Sequence, residues 1–303
     1  MDEATRQGQV DLARLVARIR GEFPDLRFAE ATLNDVGEDH AVVMLGEHWV
    51  FRFPRTAEAA ALDPMERRLL ARLNDASPVA TPRYEHVSRS GDFGGYRLIA
   101  GRELTERVFA ALSPGAQERV LAQIGGFLRV LHALPPVLVA RPGANQPDEN
   151  AAWFVDRHAE RRSRLAEAFD PTLLDAADRF YRALPAAVAT DHAAVIHGDF
   201  SEDHILLDPH ADRLAGVIDF TDARLGDPAY DFAFLWAYGR WAAEGVVRSY
   251  GEDAETASML ARSLWWFTRF RVDQIWWSVS GARNYDVARI RRELGGLFTT
   301  LGC

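Results

Sequence analysis

Residues 193–222 alternate short apolar runs with polar loops, and no other stretch constrains the fold as strongly. The apolar runs are Val195-Ile196, Ile205-Leu206-Leu207 and Val217-Ile218. Runs of this kind between turn residues predict short strands, and residues 208–212 (DPHAD) predict the turn between the second and third. Asp199 and Asp219 each come just after a predicted strand, so we expect both in loops that rigid elements hold in place.

These loops resemble the catalytic and metal-binding loops of the protein-kinase-like fold, and most closely those of the aminoglycoside phosphotransferase family of antibiotic kinases. The resemblance rests on the motifs HGDF at residues 197–200, IDF at 218–220 and GDPAYD at 226–231. The run SEDHIL at residues 201–206 is most similar to the branch acting at a 2'' hydroxyl and to macrolide kinases, where His replaces the usual Asn. An isolated aspartate after a strand is more often a turn former or helix cap, but these blocks follow one another in the order of the family.

The resemblance implies an α+β, bilobal protein-kinase-like fold with a small antiparallel-sheet N-lobe and a larger helical C-lobe. Residues 1–98 would form the nucleotide-binding lobe. Residues 99–303 would form the helical lobe that carries the catalytic loop, the metal site and the substrate cleft.

The same resemblance assigns roles in the two loops. Asp199 is the expected catalytic base, which takes the proton of the attacking hydroxyl. Asp219 and His204 are expected to hold Mg²⁺, although magnesium prefers oxygen ligands, so His204 could instead act through water or position the loop. His197 and Asp231 are expected to brace the catalytic loop as structural support.

The N-terminal part of the chain predicts a meander of antiparallel strands over residues 27–36, 41–45 and 48–53, with a turn at 37–40. A helix is predicted over residues 64–73. By resemblance the turn lies over the nucleotide phosphates, but its single glycine gives this role weak support.

Nucleotide-binding residues are also implied by the resemblance. Arg52, on an alternating strand before Phe53-Pro54, is expected to contact the phosphates of ATP or GTP, and Glu66 is expected to pair with it. Arg guanidinium groups suit phosphate because they bind it with two parallel hydrogen bonds. Residues 96–101 resemble the hinge whose backbone meets the purine base, which adds Arg97 and Ile99 as candidates.

The C-terminal third predicts helices rich in aromatic residues, most of which are expected to pack in the core. A long helical segment over residues 151–184 is predicted to break near residues 170–171. Substrate-binding candidates are Glu202, Asp203, Asp222 and Trp236, with Glu244 and Asp273 as further acids for a cationic substrate. The segment after Asp231 lacks the acids that 2''-type enzymes carry there, which favours a more apolar substrate such as a macrolide.

The composition of the chain limits the classes of binding partner and the compartments that we expect for it. The 303-residue chain has a net charge of −9, which makes nucleic acid an improbable partner. No apolar run reaches membrane-spanning length, and the first residues lack the features of a signal peptide. A single cysteine, Cys303, fits a cytoplasmic protein. The oligomeric state stays open.

The sequence therefore predicts a kinase that transfers the γ-phosphate of a nucleoside triphosphate to a hydroxyl of an aminoglycoside-like antibiotic. The alternatives are a macrolide or other small-molecule O-phosphotransferase, and a catalytically weak nucleotide-binding protein of kinase-like fold. A weaker alternative is a metal-dependent hydrolase built on Asp199, His204, Asp208 and Asp219.

Overall fold

The structure is a computed structural model that describes residues 11–35, 37, 39–140, 151–251 and 254–303. It begins with helix α1 (Leu12–Glu22) and a five-stranded antiparallel sheet in the order β1-β2-β3-β5-β4. The strands are β1 (Ala31–Asn34), β2 (His40–Leu45), β3 (Trp49–Pro54), β4 (Tyr84–Val87) and β5 (Gly94–Arg97). The predicted meander is confirmed for β1 to β3, but β1 is shorter than the predicted strand. Val36 and Glu38, in the predicted strand end and turn, lie outside the described residues.

The two faces of this sheet differ in chemistry because side chains alternate along β3. Trp49, Phe51 and Phe53 pack with α1 in a small aromatic core. Arg52 lies on the opposite face, which is turned away from α1, and it is almost fully buried there. A buried guanidinium on an apolar sheet needs partners of opposite charge, and the next subsections identify them.

Helix α2 (Ala57–Leu73) begins earlier than the predicted residue 64. The Thr56 hydroxyl accepts a hydrogen bond from the Ala59 N–H (3.1 Å) and caps the helix. Pro64 therefore lies inside the helix instead of at its start. Met65 and Leu69 of α2 pack in the larger hydrophobic core that the rest of the chain forms. The predicted boundary between the two lobes near residue 98 stays a prediction.

The chain then becomes mostly helical. The next elements are β6 (Arg102–Glu103), α3 (Glu106–Ala110), α4 (Pro114–His132), a 3₁₀ turn (Pro136–Val139), α5 (Ala151–Leu165) and α6 (Pro171–Ala187). The break near residues 170–171 occurs as predicted. The Asp170 carboxylate accepts from the Leu173 N–H (2.9 Å), and Pro171 occupies the first turn, where its missing N–H costs nothing.

Four short strands then build the frame of the two aspartate loops. They are β7 (Ala194–Ile196), β8 (Ile205–Leu207), β9 (Leu214–Val217) and β10 (Arg224–Gly226). β8 and β9 form the predicted hairpin, to which β6 adds a third strand, and β7 pairs with β10. β7 and β9 lie in separate small sheets, so contacts outside the strand pairing must bring together the loops that follow them.

The remaining elements are helical: two 3₁₀ segments (Pro228–Tyr230 and Ala233–Tyr238), α7 (Arg240–Tyr250), α8 (Ala254–Val279) and α9 (Val287–Leu301). The predicted helix from Ala229 is therefore a pair of 3₁₀ segments. Among the described residues, no helix combines the length and the apolar character that crossing a bilayer requires.

Helices α4 and α7 touch at Gly125, where a methyl group would lie 2.6 Å from the Val246 carbonyl oxygen. We expect Gly125→Ala to lower the free energy of unfolding by about 1–3 kcal/mol through overpacking. The neighbouring Gly126 has open space where a Cβ would lie. Gly126→Ala should therefore raise the free energy of unfolding by about 0.5–1 kcal/mol through helix propensity. Urea unfolding of both variants checks this, and equal effects would contradict the close helix contact.

Candidate active site

One buried carboxylate holds the start of the loop after β7. Asp231 is fully buried, and its two oxygens accept hydrogen bonds from the backbone N–H groups of His197 (2.7 Å) and Gly198 (3.0 Å). His132 of α4 contacts the same carboxylate through Nε2 at 3.1 Å. Burial disfavours the charge, but these donors hold the pKa of Asp231 below its ordinary value. The loop backbone is thus bound to a fixed anion.

His197 links the first loop to the second. Its Nε2 is 3.1 Å from the Ile218 carbonyl oxygen, which can only accept, so Nε2 carries the proton. Nδ1 is then free to accept from the Asp199 N–H at 3.3 Å. Burial lowers the pKa of His197, in keeping with this neutral tautomer. Its ring therefore connects backbone atoms of both loops but does not itself face the cavity between the sheet and the helices.

Gly198 could not be replaced in this loop. Its φ is +83°, and a Cβ there would meet the Asp222 carbonyl oxygen at 2.3 Å. Only glycine tolerates both the left-handed backbone and the close approach. The turn that results carries Asp199 out of the buried frame, with about half of its side chain exposed.

Asp199, His204 and Asp219 come together at the ends of the two loops. His204 Nδ1 donates to the Asp199 carbonyl oxygen (2.8 Å) and lies 3.4 Å from the Asp199 carboxylate. Its Nε2 is 3.8 Å from Asp219 Oδ2. Burial opposes the charge on His204, but the two carboxylates outweigh it and raise the pKa of the imidazole. The histidine therefore lies between the two aspartates.

Asp219 has an unusual backbone and a well-defined set of partners. Its φ is +62°, the left-handed region, and it is the one non-glycine residue with positive φ in the described part of the chain. Its Oδ1 accepts from the Thr221 hydroxyl (2.9 Å) and from Arg52 (3.0 Å). Although burial opposes ionisation, Arg52 above all keeps the pKa of Asp219 well below its usual range. The charged form is thus secured at neutral pH, and such local strain is typical of functional positions.

Arg52 joins the sheet to these loops. Its guanidinium donates to Glu66 of α2 (2.6 Å), to Asp219 (3.0 Å) and to the Thr221 hydroxyl (2.7 Å). Burial opposes its charge, but the carboxylates of Glu66 and Asp219 raise the pKa of Arg52 further. Arg52 and its predicted partner Glu66 therefore form one continuous ion-pair network with Asp219, a contact that the sequence did not predict.

His40 and Asp63 extend this network; the sequence named His40 only as the last residue of the predicted turn and did not single out Asp63. Arg52 can only donate, so His40 Nδ1 accepts from it (3.1 Å), and Nε2 then donates to Asp63 Oδ1 (2.9 Å). In the β2–β3 register Val42 pairs with Arg52. His40, two residues before Val42, therefore lies on the same face of the sheet as Arg52. The alternation of side chains along β2 could have identified His40 from the sequence, whereas no sequence pattern marks Asp63.

The loops open into a cavity of about 810 Å³ between the sheet and the helical part of the protein. Its lining includes Gly37, Asp39 and His40 of the predicted phosphate turn and Arg52. The aspartates Asp199 and Asp219 lie in the same wall as His204. Aromatic side chains complete the helical side: Trp153, Phe154, Tyr230, Phe234, Phe270, Trp277 and Tyr285. A cavity of this size accommodates small molecules.

The predicted substrate residues divide into two groups. Glu202, Asp203, Asp222 and Asp273 line the cavity. Trp236 does not, because the 3₁₀ segment turns its indole toward α8, where Nε1 donates to Ser263 Oγ at 2.8 Å. Glu244 also lies elsewhere and pairs with the exposed Arg240 one helical turn away. The expectation that Trp236 contacts substrate therefore needs correction: it is a packing residue.

The hinge candidates also separate. Arg97 lies opposite Trp49 in the sheet, and its guanidinium stacks 4.1 Å from the centre of that indole, on the face away from Arg52. Its side chain is thus turned from the cavity, so only its backbone could serve the predicted nucleotide role. The half-buried Ile99 approaches Gly216 of β9, at the junction between the sheet and the aspartate loops.

Magnesium fits part of this donor set. Asp219 Oδ1 is engaged by Arg52 and Thr221, whereas Oδ2 is directed toward His204 and the cavity. An ionised carboxylate oxygen is the ligand type that magnesium prefers. In the described ranges no group of three or more His, Cys, Asp or Glu residues is arranged to hold a metal unaided. The remaining ligands would therefore have to come from nucleotide phosphates and water, as is usual for magnesium.

The hydrolase alternative loses one of its four candidate ligands. Asp208 lies in the exposed turn between β8 and β9, where its carboxylate accepts from the His210 N–H (2.9 Å) and Arg213 Nε (3.3 Å). It does not line the cavity described by the structure. Of the four residues in this alternative, Asp199, His204 and Asp219 line the cavity.

The antiparallel sheet, the helical remainder and the two aspartate loops at one cavity define a kinase-like fold. Solved structures share it: the GDP complex of aminoglycoside 2'-phosphotransferase-IIIa superposes with a TM-score of 0.78 at 23% identity, covering 96% of this chain and 99% of that one. Macrolide 2'-phosphotransferase type I gives 0.61 at 22% identity, covering 93% and 96%.

The chain belongs to the phosphotransferase enzyme family (APH), which matches it over residues 30–266. Viomycin phosphotransferase of Streptomyces vinaceus is similar, with 29% identity over 228 residues and 72% of each chain covered. The Bacillus subtilis protein YcbJ is 24% identical over 237 residues, or 73% of this chain and 74% of that protein.

Asp231→Asn tests the loop anchor. An amide can accept only one of the two backbone N–H groups at this buried position, so we expect the free energy of unfolding at pH 7 to fall by roughly 2–4 kcal/mol. Denaturant unfolding measures it. Asp212→Asn, at an exposed carboxylate near Arg119, is the control and should change little.

The same variant gives a pH signature. Because the folded-state pKa of Asp231 is lowered, its contribution is complete above the unfolded pKa and declines as pH falls below it. Between roughly pH 5 and 3 the wild type should therefore lose stability more steeply than Asp231→Asn. If the free energies of unfolding of the two proteins changed in parallel with pH, the ionised Asp231 would not be what stabilises the loop.

Proposed function

We propose that this protein is an ATP- or GTP-dependent O-phosphotransferase that modifies a hydroxyl group of a small molecule. The observation that carries the proposal is the convergence of Asp199 and Asp219 on either side of His204, in the wall of the cavity. Both carboxylates are partly exposed, and that of Asp219 is held charged by Arg52. A base for the acceptor and an anion for the metal are what phosphoryl transfer needs from two aspartates.

In this proposal Asp199 orients the acceptor hydroxyl and takes its proton as the phosphoryl group leaves the nucleotide. Arg52, held in place by Glu66, binds the phosphates. Asp219, with His204 beside it, would hold magnesium, which when bound neutralises the charge of the triphosphate. His197 and Asp231 keep the loop backbones in register and do not react. The contribution of residues 37–40 to phosphate binding belongs to the same proposal.

Antibiotics are the acceptors to test first. The family match, the similarity to viomycin phosphotransferase and the fold shared with aminoglycoside and macrolide phosphotransferases support this choice. The acids Glu202, Asp203 and Asp222 on the cavity support an aminoglycoside-like acceptor. The aromatic rings on the helical side instead support a macrolide or another apolar alcohol.

Transfer of radiolabel from γ-labelled ATP or GTP to a panel of aminoglycosides, macrolides and viomycin tests the activity. A labelled acceptor identifies a phosphotransferase. Tight nucleotide binding with neither transfer nor slow nucleotide hydrolysis would favour a nucleotide-binding protein without catalysis.

Asp199→Asn should lower kcat on the order of a hundredfold or more, because the amide cannot accept the proton. Nucleotide affinity should change little, since Asp199 makes no contact with Arg52 among the described interactions. Steady-state kinetics and nucleotide titration measure the two effects. Asp208→Asn, in the exposed turn, is the matched control, and near-normal turnover of Asp199→Asn would exclude it as the base.

Asp219→Asn should weaken nucleotide binding on the order of tenfold in the presence of Mg²⁺, through loss of a charged metal ligand. In EDTA the variant and the wild type should bind nucleotide equally or nearly so. Isothermal titration calorimetry with and without Mg²⁺ measures both values. A loss of the same size in EDTA would show that Asp219 acts on the fold and not through the metal.

A further inference from the structure

The loop between α8 and α9 (residues 280–286) forms one stretch of the cavity wall. Arg283 and Tyr285 of this loop line the cavity. The Arg283 N–H donates to the Trp277 carbonyl oxygen at 3.2 Å, and the Tyr285 N–H donates to Ser278 Oγ at 3.1 Å. The end of α8 therefore fixes the point from which the Arg283 side chain enters the cavity.

The guanidinium of Arg283 is held by weak contacts. Its Nη1 lies 3.8 Å from Asp203 Oδ2 and 3.4 Å from the Tyr285 hydroxyl oxygen. The Arg283 side chain is 61% exposed and that of Asp203 is 51% exposed. An ion pair this exposed contributes little to stability. The guanidinium can therefore leave Asp203 at little cost when a ligand binds, while the backbone of the loop stays in place.

The carboxylates near Arg283 belong to the loop after β7. Asp199, Glu202 and Asp203 follow one another closely in this loop, and all three line the cavity. Glu202 accepts from the Glu106 N–H of α3 at 3.1 Å, whereas Asp203 faces Arg283. In the described part of the chain, the cavity lining holds more carboxylates than guanidinium groups. An ammonium group on a ligand would therefore be attracted to this loop.

Arg283 already places a positive charge beside these carboxylates. The hydrogen bond with the Tyr285 hydroxyl above all raises the pKa of Arg283. Burial opposes this effect, but the carboxylates of Asp203 and Asp199 also raise the pKa. A ligand that carries an ammonium group must therefore displace the guanidinium or bind against its repulsion. An uncharged ligand avoids both costs.

We propose that Arg283 is a specificity-determining residue of the cavity. It competes with the ammonium group of a cationic acceptor for Asp203, and it thereby favours acceptors that are uncharged near the reacting hydroxyl. That the ligand is an acceptor, with its hydroxyl at Asp199, rests on the function proposed above; the competition at Asp203 does not. Phe270 and Trp277, whose ring centres are 5.8 Å apart, also line the cavity and offer the body of such a molecule an apolar surface.

Two alcohols of matched shape test the competition: para-(hydroxymethyl)benzylamine, which is cationic, and benzene-1,4-dimethanol, which is uncharged. Each is titrated calorimetrically into the full chain at low ionic strength, with Mg²⁺ and a non-hydrolysable ATP analogue present. Arg283→Gln should bind the amine about threefold more tightly than the wild type does, because the competing charge is gone. The diol should bind both proteins equally. Raising the NaCl concentration to about 0.5 M should reduce the gain for the amine.

Three further variants isolate the charge of Arg283. Arg283→Lys keeps the charge and should bind the amine like wild type. Asp203→Asn, combined with Arg283→Gln, should cancel the gain, because the ammonium group loses its partner. Arg213→Gln, at an exposed arginine beside Asp208 and outside the described cavity lining, is the matched control and should leave both affinities unchanged.

Two results would overturn the proposal. Equal changes in the affinities for the amine and the diol would show that Arg283 acts through the shape of the loop and not through its charge. An affinity of Arg283→Gln for the amine that does not exceed that of the wild type, including the case in which neither protein binds it, would exclude the competition.

Transfer of label from γ-labelled ATP or GTP to the same two alcohols separates this proposal from the function on which it rests. Tighter binding of the amine by Arg283→Gln, without phosphorylation of either alcohol, would support the competition and count against the phosphotransferase. Phosphorylation of both alcohols, with the same ratio of their kcat/KM values in Arg283→Gln and in the wild type, would do the reverse.

Discussion

The site depends on one buried guanidinium. Arg52 lies on the apolar sheet, and its positive charge is tolerated there only because Glu66, from α2, and Asp219, from the loop after β9, meet it. These partners are far apart in the chain, so sheet, helix and loop must dock together before the charge is balanced. The interaction that permits Arg52 to be buried also holds Asp219 ionised. Folding and preparation of the site are therefore one event.

Asp231 performs the corresponding task for the other loop, and it does so from the helical side. Its carboxylate binds the N–H groups of His197 and Gly198, while His197 reaches the carbonyl oxygen of Ile218. The first loop is thus fixed by an anion, Asp231, and the second by a cation, Arg52, while the imidazole of His197 connects the two loops. The positive φ of Asp219 is held within this frame, where surrounding contacts over-determine a backbone that would otherwise be unfavourable. Asp199, at the tip of the first loop, keeps about half of its side chain exposed.

Local sequence patterns predicted most of the strands, helices and loops. The predictions failed where contacts between residues distant in sequence determine the structure. The meander, the break at residues 170–171 and the loop aspartates follow from alternation, proline placement and spacing, all visible in short windows. The start of α2 was missed because the Thr56 cap overrode the proline signal. The orientation of Trp236 was misjudged, since the rotation of a 3₁₀ segment depends on what packs against it. His40 needed the register of β2 against β3.

The net charge of the whole chain says little about the cavity. The chain is acidic overall, at −9, but the cavity lining contains both carboxylates and guanidinium groups. Two of these carboxylates are already paired with arginines: Asp219 with Arg52, and Asp273 with Arg161 and Arg269. Because paired charges offset one another locally, the electrostatic character of the cavity follows from its individual contacts and not from the sum over the chain.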